Sequence, residues 1–506
     1  MSYLSNKDKN LREFIPENIE SFLMTKGYFI EEGIIPGIIN PDGIVDYLPS
    51  SIDWKKIPRT QAIDILIEKP DKGVRRFSLL HPYIYRLLVR EIVDNIVDIK
   101  EKLLRPTGVS VYSIPQMNIL ENMALDWKYF YRIDPAAHLQ SHPFIVTADI
   151  SNLYESIYTH AIAWGVHGVE VAKNGINNYD LLGNRLDKLF QNAHDGQTNG
   201  IPTGNTISDI AAELVLKNID EAIGGFVEEH HIVASRYRDD YMFMCKNKNE
   251  ARAILDKLAL ELSKGYGLTI NRSKVKFMST EEYIDSLVTK SAPLQLPEGF
   301  NKGSDFIIRG SEVFNYIHEL KKIAKSESRA FDAGVKRIVD KLKNEQVVLV
   351  GDDFDEWAPL ILAEVFDAIQ RGYSSSGVVY LYLDKVIELS SMKNMLIDLV
   401  ISEVNNSSNV MREIWTYALL KRHEPGRIDA FMKARTSPLL LIAAGAMDHM
   451  DAFATRDSLP AEIKKAYSGF RAVDINLFDE ISEDEMIASI LESEYYDSIL
   501  RSHYDD

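Results

Sequence analysis

The chain has 506 residues, 45% of them hydrophobic, and a formal net charge of −18. That is longer than one typical domain, so two or three folded units are expected. Its one cysteine, Cys245, excludes an intrachain disulfide and a cysteine-rich zinc cluster, and the acidity excludes a protein that coats nucleic acid through its whole surface.

The opening "MSYLSNKDKNLREF" lacks the apolar core of a signal peptide. No window approaches the about 18 apolar residues of a membrane span; the longest candidate, "PLLLIAAGAM" from Pro438, reads as a buried helix. A reducing, cytoplasmic setting with no membrane partner is expected. Residues 1–60 read as an N-terminal helical extension and 61–290 as the first large unit. From Lys69 to Arg105 nine basic residues face five acidic ones, so any polyanion site is local.

Farther along, "HPFIVTADI" (142–150) reads as a buried strand ending in an acid, and "TISDIAAELVLKNIDEAI" (206–223) as an amphipathic helix. Next, "HIVASRYR" and "YMFMC" form two strands folded about Asp239 and Asp240. A helix with Leu255, Leu258, Ala259 and Leu262 on one face stops at Gly265 and Gly267, before the strand "SKVKFM". The order strand, helix, hairpin, helix, strand predicts an α+β layer: an antiparallel sheet with helices on one face and the other face open.

The stretch "SAPLQLPEGFNKG" (291–303), with two prolines and two glycines, marks a linker. Beyond it only four prolines remain, and Val313, Tyr316, Ile317, Leu320 and Ile323 follow helical spacing, as do Met392, Met395, Leu396, Leu399 and Val400. Residues 304–506 are therefore expected to be an all-helical, repeat-like domain. The acidic stretch from Asp474 reads as a solvated helical tail. Asp352 and Asp353 fit the start of a helix. His142, His160, His167 and His194 lack ligand spacing, and Cys245 reads as a small buried hydrophobe.

The chemistry concentrates on three acids. Asp149 closes one strand, and Asp239 with Asp240 sits at the hairpin turn. If these strands are neighbours, three carboxylates converge, which is costly unless a cation neutralises them. Hard oxygen ligands favour Mg²⁺ or Mn²⁺ over zinc. Two such ions about 3.5–4 Å apart would serve an in-line phosphoryl transfer.

Four segments in order resemble the palm motifs of reverse transcriptases: "VTADISNLYESI" (motif A), "GIPTGNTISD" (motif B), "YRDD" (the Y-x-D-D of motif C) and "GLTINRSK" (motif D). The resemblance spans roughly residues 60–280. It implies that Asp149 and Asp239 hold the metal ions, two per site, with Asp240 assisting. Tyr154, five positions after Asp149, matches the aromatic gate against a ribose 2′-hydroxyl, which implies deoxynucleotide substrates; plain core packing is the competing role. Gly200, Pro202, Gly204 and Asn205 match the loop beneath the incoming base or primer terminus, and Lys274 is the candidate cation beside the leaving pyrophosphate. Upstream, "KPDKGVRRFSLLHPYIYRLLV" resembles the fingers, with Arg75 as the triphosphate clamp. For Arg76 and Lys69 a surface cation is the stronger reading.

Thr203 stands where many retroviral and intron enzymes have glutamine, which puts accurate templated copying in doubt. No ribonuclease H domain is expected. The phrase "SNLYESIYTHAIAWGVHG" is most similar to bacterial abortive-infection reverse transcriptases of phage defence. That likeness implies untemplated DNA synthesis primed by a protein hydroxyl, a DNA product covalently attached to protein, a homo-oligomer and a phage-encoded trigger. An RNA-templated enzyme and a retired catalyst that only binds a phage protein are the alternatives.

Overall fold

The computed structural model describes residues 52–69, 73–111, 138–290, 306–325, 329–343, 347–349, 351–374, 377–407 and 409–444, with the short pieces 19–24, 27–28, 39–40 and 471–472. The predicted linker 291–303, the tail from Asp474 and most of residues 1–60 lie outside the described residues.

The first elements are α1 (Ile19–Met24) and β1 (Ile39–Asn40), the latter paired antiparallel with β11 (Arg471–Ala472). Next comes a hairpin of β2 (Ile63–Glu68) and β3 (Val74–Leu79), in register from Ile63↔Leu79 to Glu68↔Val74. Two helices, α2 (Pro82–Asp94) and α3 (Ile96–Leu103), lead to β4 (Val109–Val111). Pro82 opens α2 at a position where a missing N–H costs nothing, and the His81 ring accepts the Tyr83 N–H.

The central sheet has five strands in the order β4-β6-β7-β5-β8, from β5 (Phe144–Asp149), β6 (Val233–Tyr237), β7 (Asp240–Cys245) and β8 (Lys276–Ser279) with β4. Side chains alternate faces along a strand. Val146, Ala148, Tyr241 and Phe243 are accordingly buried on one face, while Asp149 and its cross-strand partner Asp240 share the other. The expected antiparallel sheet is in fact mixed, because β4 joins β6 in parallel. More than 120 residues separate the two strands in sequence, ample for the long crossover that parallel pairing needs.

Behind the sheet runs a 24-residue helix. After α4 (Leu153–Ser156), α5 (His160–His167), α6 (Val169–Asn174) and α7 (Leu182–Ala193), this helix, α8 (Thr206–Glu229), packs against α5 and against α9 (Lys248–Glu261). It was expected to be amphipathic, but it is buried on most sides: Ile207, Leu214, Val215, Leu216, Ile219 and Ile223 are all inaccessible, and so is Asp220. Helices cover it from more than one direction, so an ordinary solvated face is missing. A π-helical turn, Leu262–Tyr266, ends α9, and Gly267 follows in the left-handed region at φ +68°.

After β8, α10 (Thr280–Lys290) leads out of this unit. The helical region contains α11 (Gly310–Ala324), α12 (Arg329–Lys343), α13 (Gly351–Gln370), α14 (Gly377–Leu389), α15 (Lys393–Asn405) and α16 (Val410–His423). It is not all helix. A parallel pair of β9 (Phe306–Ile308) and β10 (Val347–Leu349) precedes α11 and α13. Such short apolar runs carry no period that separates strand from helix. The segment from Pro438 is helical to Ala443, with Leu439, Leu440 and Ile442 buried, and no helix among the described residues is long and apolar enough to cross a membrane.

Candidate active site

Register brings the acids together. Asp149 is the last residue of β5 and Asp240 the first of β7, and the two are directly opposed. The main chain of residues 149–151 fastens two other segments: the Ile150 N–H donates to the Asp239 carbonyl at 3.0 Å, the Asn271 N–H donates to the Asp149 carbonyl at 2.8 Å, and the Ser151 N–H donates to the Thr269 carbonyl at 2.8 Å. One strand end thus positions both the hairpin turn and the loop before β8.

That loop delivers Lys274, whose Nζ lies 2.6 Å from Asp149 Oδ2. Against the pull of partial burial, Asp149, Asp240 and Asp239 together hold the Lys274 ammonium above its ordinary pKa. Burial, foremost, and the Asp149 charge push the Asp239 carboxyl up, with Lys274 and Arg238 acting in the opposite sense. All three carboxylates therefore lie within electrostatic reach of one lysine.

The acids were expected to converge into a metal-holding cluster. Among the described residues no group of three or more His, Cys, Asp or Glu side chains is gathered closely enough to hold a metal ion. Like charges keep their distance without a central cation; here the Lys274 ammonium supplies the counter-charge. The donor set is nonetheless suited to a hard divalent ion, since it is oxygen-only and includes a partly buried carboxyl raised by its neighbour.

The hairpin turn is strained. Arg238 has φ +50°, in the left-handed region that side-chain-bearing residues avoid. Its Nη2 donates to Asp209 Oδ2 at 3.1 Å, and its carbonyl accepts from Arg236 Nη1 at 3.1 Å. Arg236 is itself 1% exposed. Its guanidinium reaches Glu213 at 3.1 and 2.9 Å and Asp220 at 3.2, 3.1 and 2.8 Å, while the Tyr241 hydroxyl donates to Asp220 Oδ1 at 2.8 Å. Sequence reasoning missed Asp209, Glu213, Asp220 and Arg236. Their signal was Asp209, Glu213 and Asp220 set among the apolar residues of one helix, with two arginines in "SRYR" to receive them.

Tyr154 lies on α4 just after β5 and is half-buried, with its hydroxyl donating to Asp209 Oδ1. The loop Gly200–Asn205 sits against it: the Ile201 N–H donates to the Tyr154 carbonyl and the Gly200 N–H to the Ile157 carbonyl, each at 2.8 Å. Gly200 has φ +88°, and a Cβ there would stand 3.1 Å from the Glu155 carbonyl oxygen, so glycine is required. Gly204 is also left-handed, at φ +108°, and Pro202 is buried. Asn205 ends this loop. It is wholly buried and caps α8, accepting the Ser208 N–H at 2.9 Å.

The fingers hairpin leans on this loop through the Ser78 N–H, which donates to the Thr203 carbonyl at 2.9 Å. On β3, Arg75 is exposed and its side chain makes no hydrogen bond or ion pair to another described residue, whereas Arg76 pairs with Asp64 at 2.8 Å. Lys69 joins the turn through its N–H, which donates to the Gly73 carbonyl at 2.9 Å. The four histidines stay structural: His142 Nε2 bonds the His231 carbonyl, His160 pairs with Asp187, and His167 accepts the Gly183 N–H, while burial foremost lowers the pKa of His194. Cys245 is buried, its thiol pushed up to about 12 by burial and, secondarily, by Glu250.

Comparison with known proteins agrees with this geometry. The family model described as reverse transcriptase (RNA-dependent DNA polymerase) matches residues 67–305. No curated protein matches the chain. Among solved structures, apo telomerase from Candida tropicalis is 13% identical over 86% of this chain and 73% of its own, with a TM-score of 0.32. Telomerase from Candida albicans, in complex with a TWJ fragment of telomeric RNA, is 9% identical over 73% of this chain and 67% of its own, also at 0.32. Likeness that low adds nothing to the assignment, which stands on the family match and the arrangement of the site. Residues 67–305 carry a reverse transcriptase domain, and the protein is a nucleotidyltransferase of the RNA-directed DNA polymerase kind.

Proposed function

We propose that this protein is an abortive-infection DNA polymerase of phage defence, which strings deoxynucleotides together without a template and starts from a hydroxyl of the protein itself. The carrying observation is the opposition of Asp149 and Asp240 beside Asp239, with Lys274 paired to Asp149 and in the electrostatic field of the other two. Asp149 and Asp239, with Asp240 assisting, would hold two Mg²⁺ or Mn²⁺ ions. When bound, these would ease loss of the attacking hydroxyl's proton and offset the charge on the leaving pyrophosphate.

The chain's own residues do the rest. Arg75 grips the triphosphate, Lys274 faces the departing pyrophosphate, the Tyr154 ring leaves no room for a 2′-hydroxyl, and the Gly200–Gly204 loop lets the backbone approach the base. The attacking oxygen forms a bond to the α-phosphorus as the bond to the bridging oxygen breaks, and pyrophosphate leaves. Three features support the untemplated, self-primed form: Thr203 in place of glutamine, the similarity of "SNLYESIYTHAIAWGVHG" to abortive-infection enzymes, and a net charge of −18 that ill suits a long primer–template duplex. A tethered hydroxyl supplies the primer at high effective concentration. In this reading the enzyme is a cytoplasmic homo-oligomer set off by a phage-encoded trigger, and residues 304–506 form its helical partner domain beyond the linker 291–303.

The test is purified protein with Mg²⁺ and each labelled deoxynucleotide in turn, no nucleic acid added, run on a denaturing gel. Label migrating with protein, and found by mass on a single peptide, is expected. Product strands that all carry free 5′ ends would refute protein priming. RNA-templated copying is the second reading, favoured by the family that residues 67–305 match; a product whose sequence follows an added template would establish it.

A further inference from the structure

Asp209 touches two parts of the site that belong to different segments. It lies in the first turn of α8 and is 4% exposed. One carboxylate oxygen accepts the Tyr154 hydroxyl, from the helix that follows Asp149. The other accepts Arg238 Nη2 at 3.1 Å, from the residue before Asp239. Arg238 holds a backbone conformation that its side chain disfavours, at φ +50°, and that dihedral sets the direction in which Asp239 leaves the turn. A strained turn persists only where its surroundings hold it. Here the holders are Asp209 on the Arg238 side chain and Arg236 on the Arg238 carbonyl.

We infer that Asp209 is a positioning residue that fixes Asp239 through Arg238 and the sugar-facing ring of Tyr154 through its hydroxyl, so that one buried carboxylate aligns the two halves of the reaction. This rests on the reading of Asp149 and Asp239 as metal-holding and of Tyr154 as sugar-facing.

The two arms can be cut separately. In Asp209→Asn the amide oxygen still accepts from Tyr154, but the amide NH₂ confronts the guanidinium donors of Arg238. In Tyr154→Phe the ring stays while its anchor is lost. Asp209→Asn is expected to lower kcat for deoxynucleotides about a hundredfold, as when a reacting group is displaced by about an ångström. It should also raise the Mn²⁺ concentration needed to increase the Tm of nucleotide-free protein, with the preference for deoxy- over ribonucleotides unchanged. Tyr154→Phe should erode that preference severalfold and leave the Mn²⁺ response of Tm intact.

Rescue separates positioning from bulk stability. Glycine adopts positive φ freely, so Arg238→Gly removes the need for a holder, and Asp209→Asn/Arg238→Gly should recover most of the lost Mn²⁺ response. Asp209→Asn with unaltered kcat and Mn²⁺ response would overturn the inference, as would a double variant no better than Asp209→Asn alone. Wild-type protein that gains stability from Mn²⁺ yet incorporates no nucleotide would defeat the polymerase reading instead, and the Mn²⁺ response would still test Asp209.

Discussion

Replacing Arg236 with methionine removes the one cation that two buried carboxylates share. Glu213 is 3% exposed and Asp220 is fully buried, and between them they accept five close contacts from the guanidinium. Without it both acids are left in the interior, a situation that costs about 3–5 kcal/mol for a broken buried pair. At about 2–4 °C per kcal/mol for a domain of this size, the first thermal transition should fall by roughly 6–20 °C.

The loss should depend on pH in a definite sense. Burial already raises the Asp220 carboxyl in the native protein, while Arg236 and the Tyr241 hydroxyl pull it back down. Removing Arg236 raises it further. A carboxyl whose folded pKa exceeds its unfolded value binds more protons when folded, so stability is lost as pH rises through the folded pKa. Arg236→Met should therefore be least damaging at acid pH and most damaging at neutral pH and above. Adding Glu213→Gln and Asp220→Asn should restore much of the stability, since neutral side chains need no counter-charge. Differential scanning calorimetry at several pH values reads both variants against wild type. An Arg236→Met protein as stable as wild type at neutral pH, or one whose deficit ignores pH, would refute the account.

Other consequences are directly measurable. Asp149→Asn and Asp239→Asn each keep side-chain shape while reducing repulsion, so both should fold with an unchanged or higher Tm yet lose deoxynucleotide incorporation on a denaturing gel. Tyr154→Ala should admit ribonucleotides in single-nucleotide assays, and an unaltered sugar preference would return Tyr154 to a packing role. Gly200→Ala places a Cβ 3.1 Å from the Glu155 carbonyl oxygen at φ +88° and should destabilise the domain by about 1–3 kcal/mol in denaturant unfolding. Asn205→Ala removes the cap of α8 and should cost about 1 kcal/mol without altering nucleotide KM.

The acids were legible because strand period and turn chemistry are local. "FIVTAD" ends in Asp149 and "YRDD" bends between two apolar runs, so pairing the strands by their buried faces puts Asp149 opposite Asp240. The support under them was not legible. Arg236 looks like the polar beat of an alternating strand, and only the path of α8 reveals that Glu213 and Asp220 await it on a buried side. Likewise nothing local shows that Asn205 caps α8; its place in the fold does. The parallel placement of β4 and the pairing of β9 with β10 join segments distant in sequence, where neither propensity nor period carries information.

Among the described residues, main-chain hydrogen bonds tie the fingers hairpin to its surroundings near one end. Near its base Thr60 exchanges backbone hydrogen bonds with the end of α7, its N–H donating to Asn192 and its carbonyl accepting from Asp195, and Ser78 is tied to Thr203. Arg75 sits three residues out from Ser78, about 10 Å along an extended strand. Its inner face is also held, since Ile65 and Phe77 are buried in the core. A tilt of roughly 10° at the clamped end sweeps the Arg75 backbone through about 2 Å over that arm, comparable with the difference between a direct hydrogen bond to a phosphate oxygen and none. The Ser78–Thr203 joint and the packing of Ile65 and Phe77 under the strand, more than any contact of the Arg75 side chain itself, then govern how firmly the guanidinium can be presented.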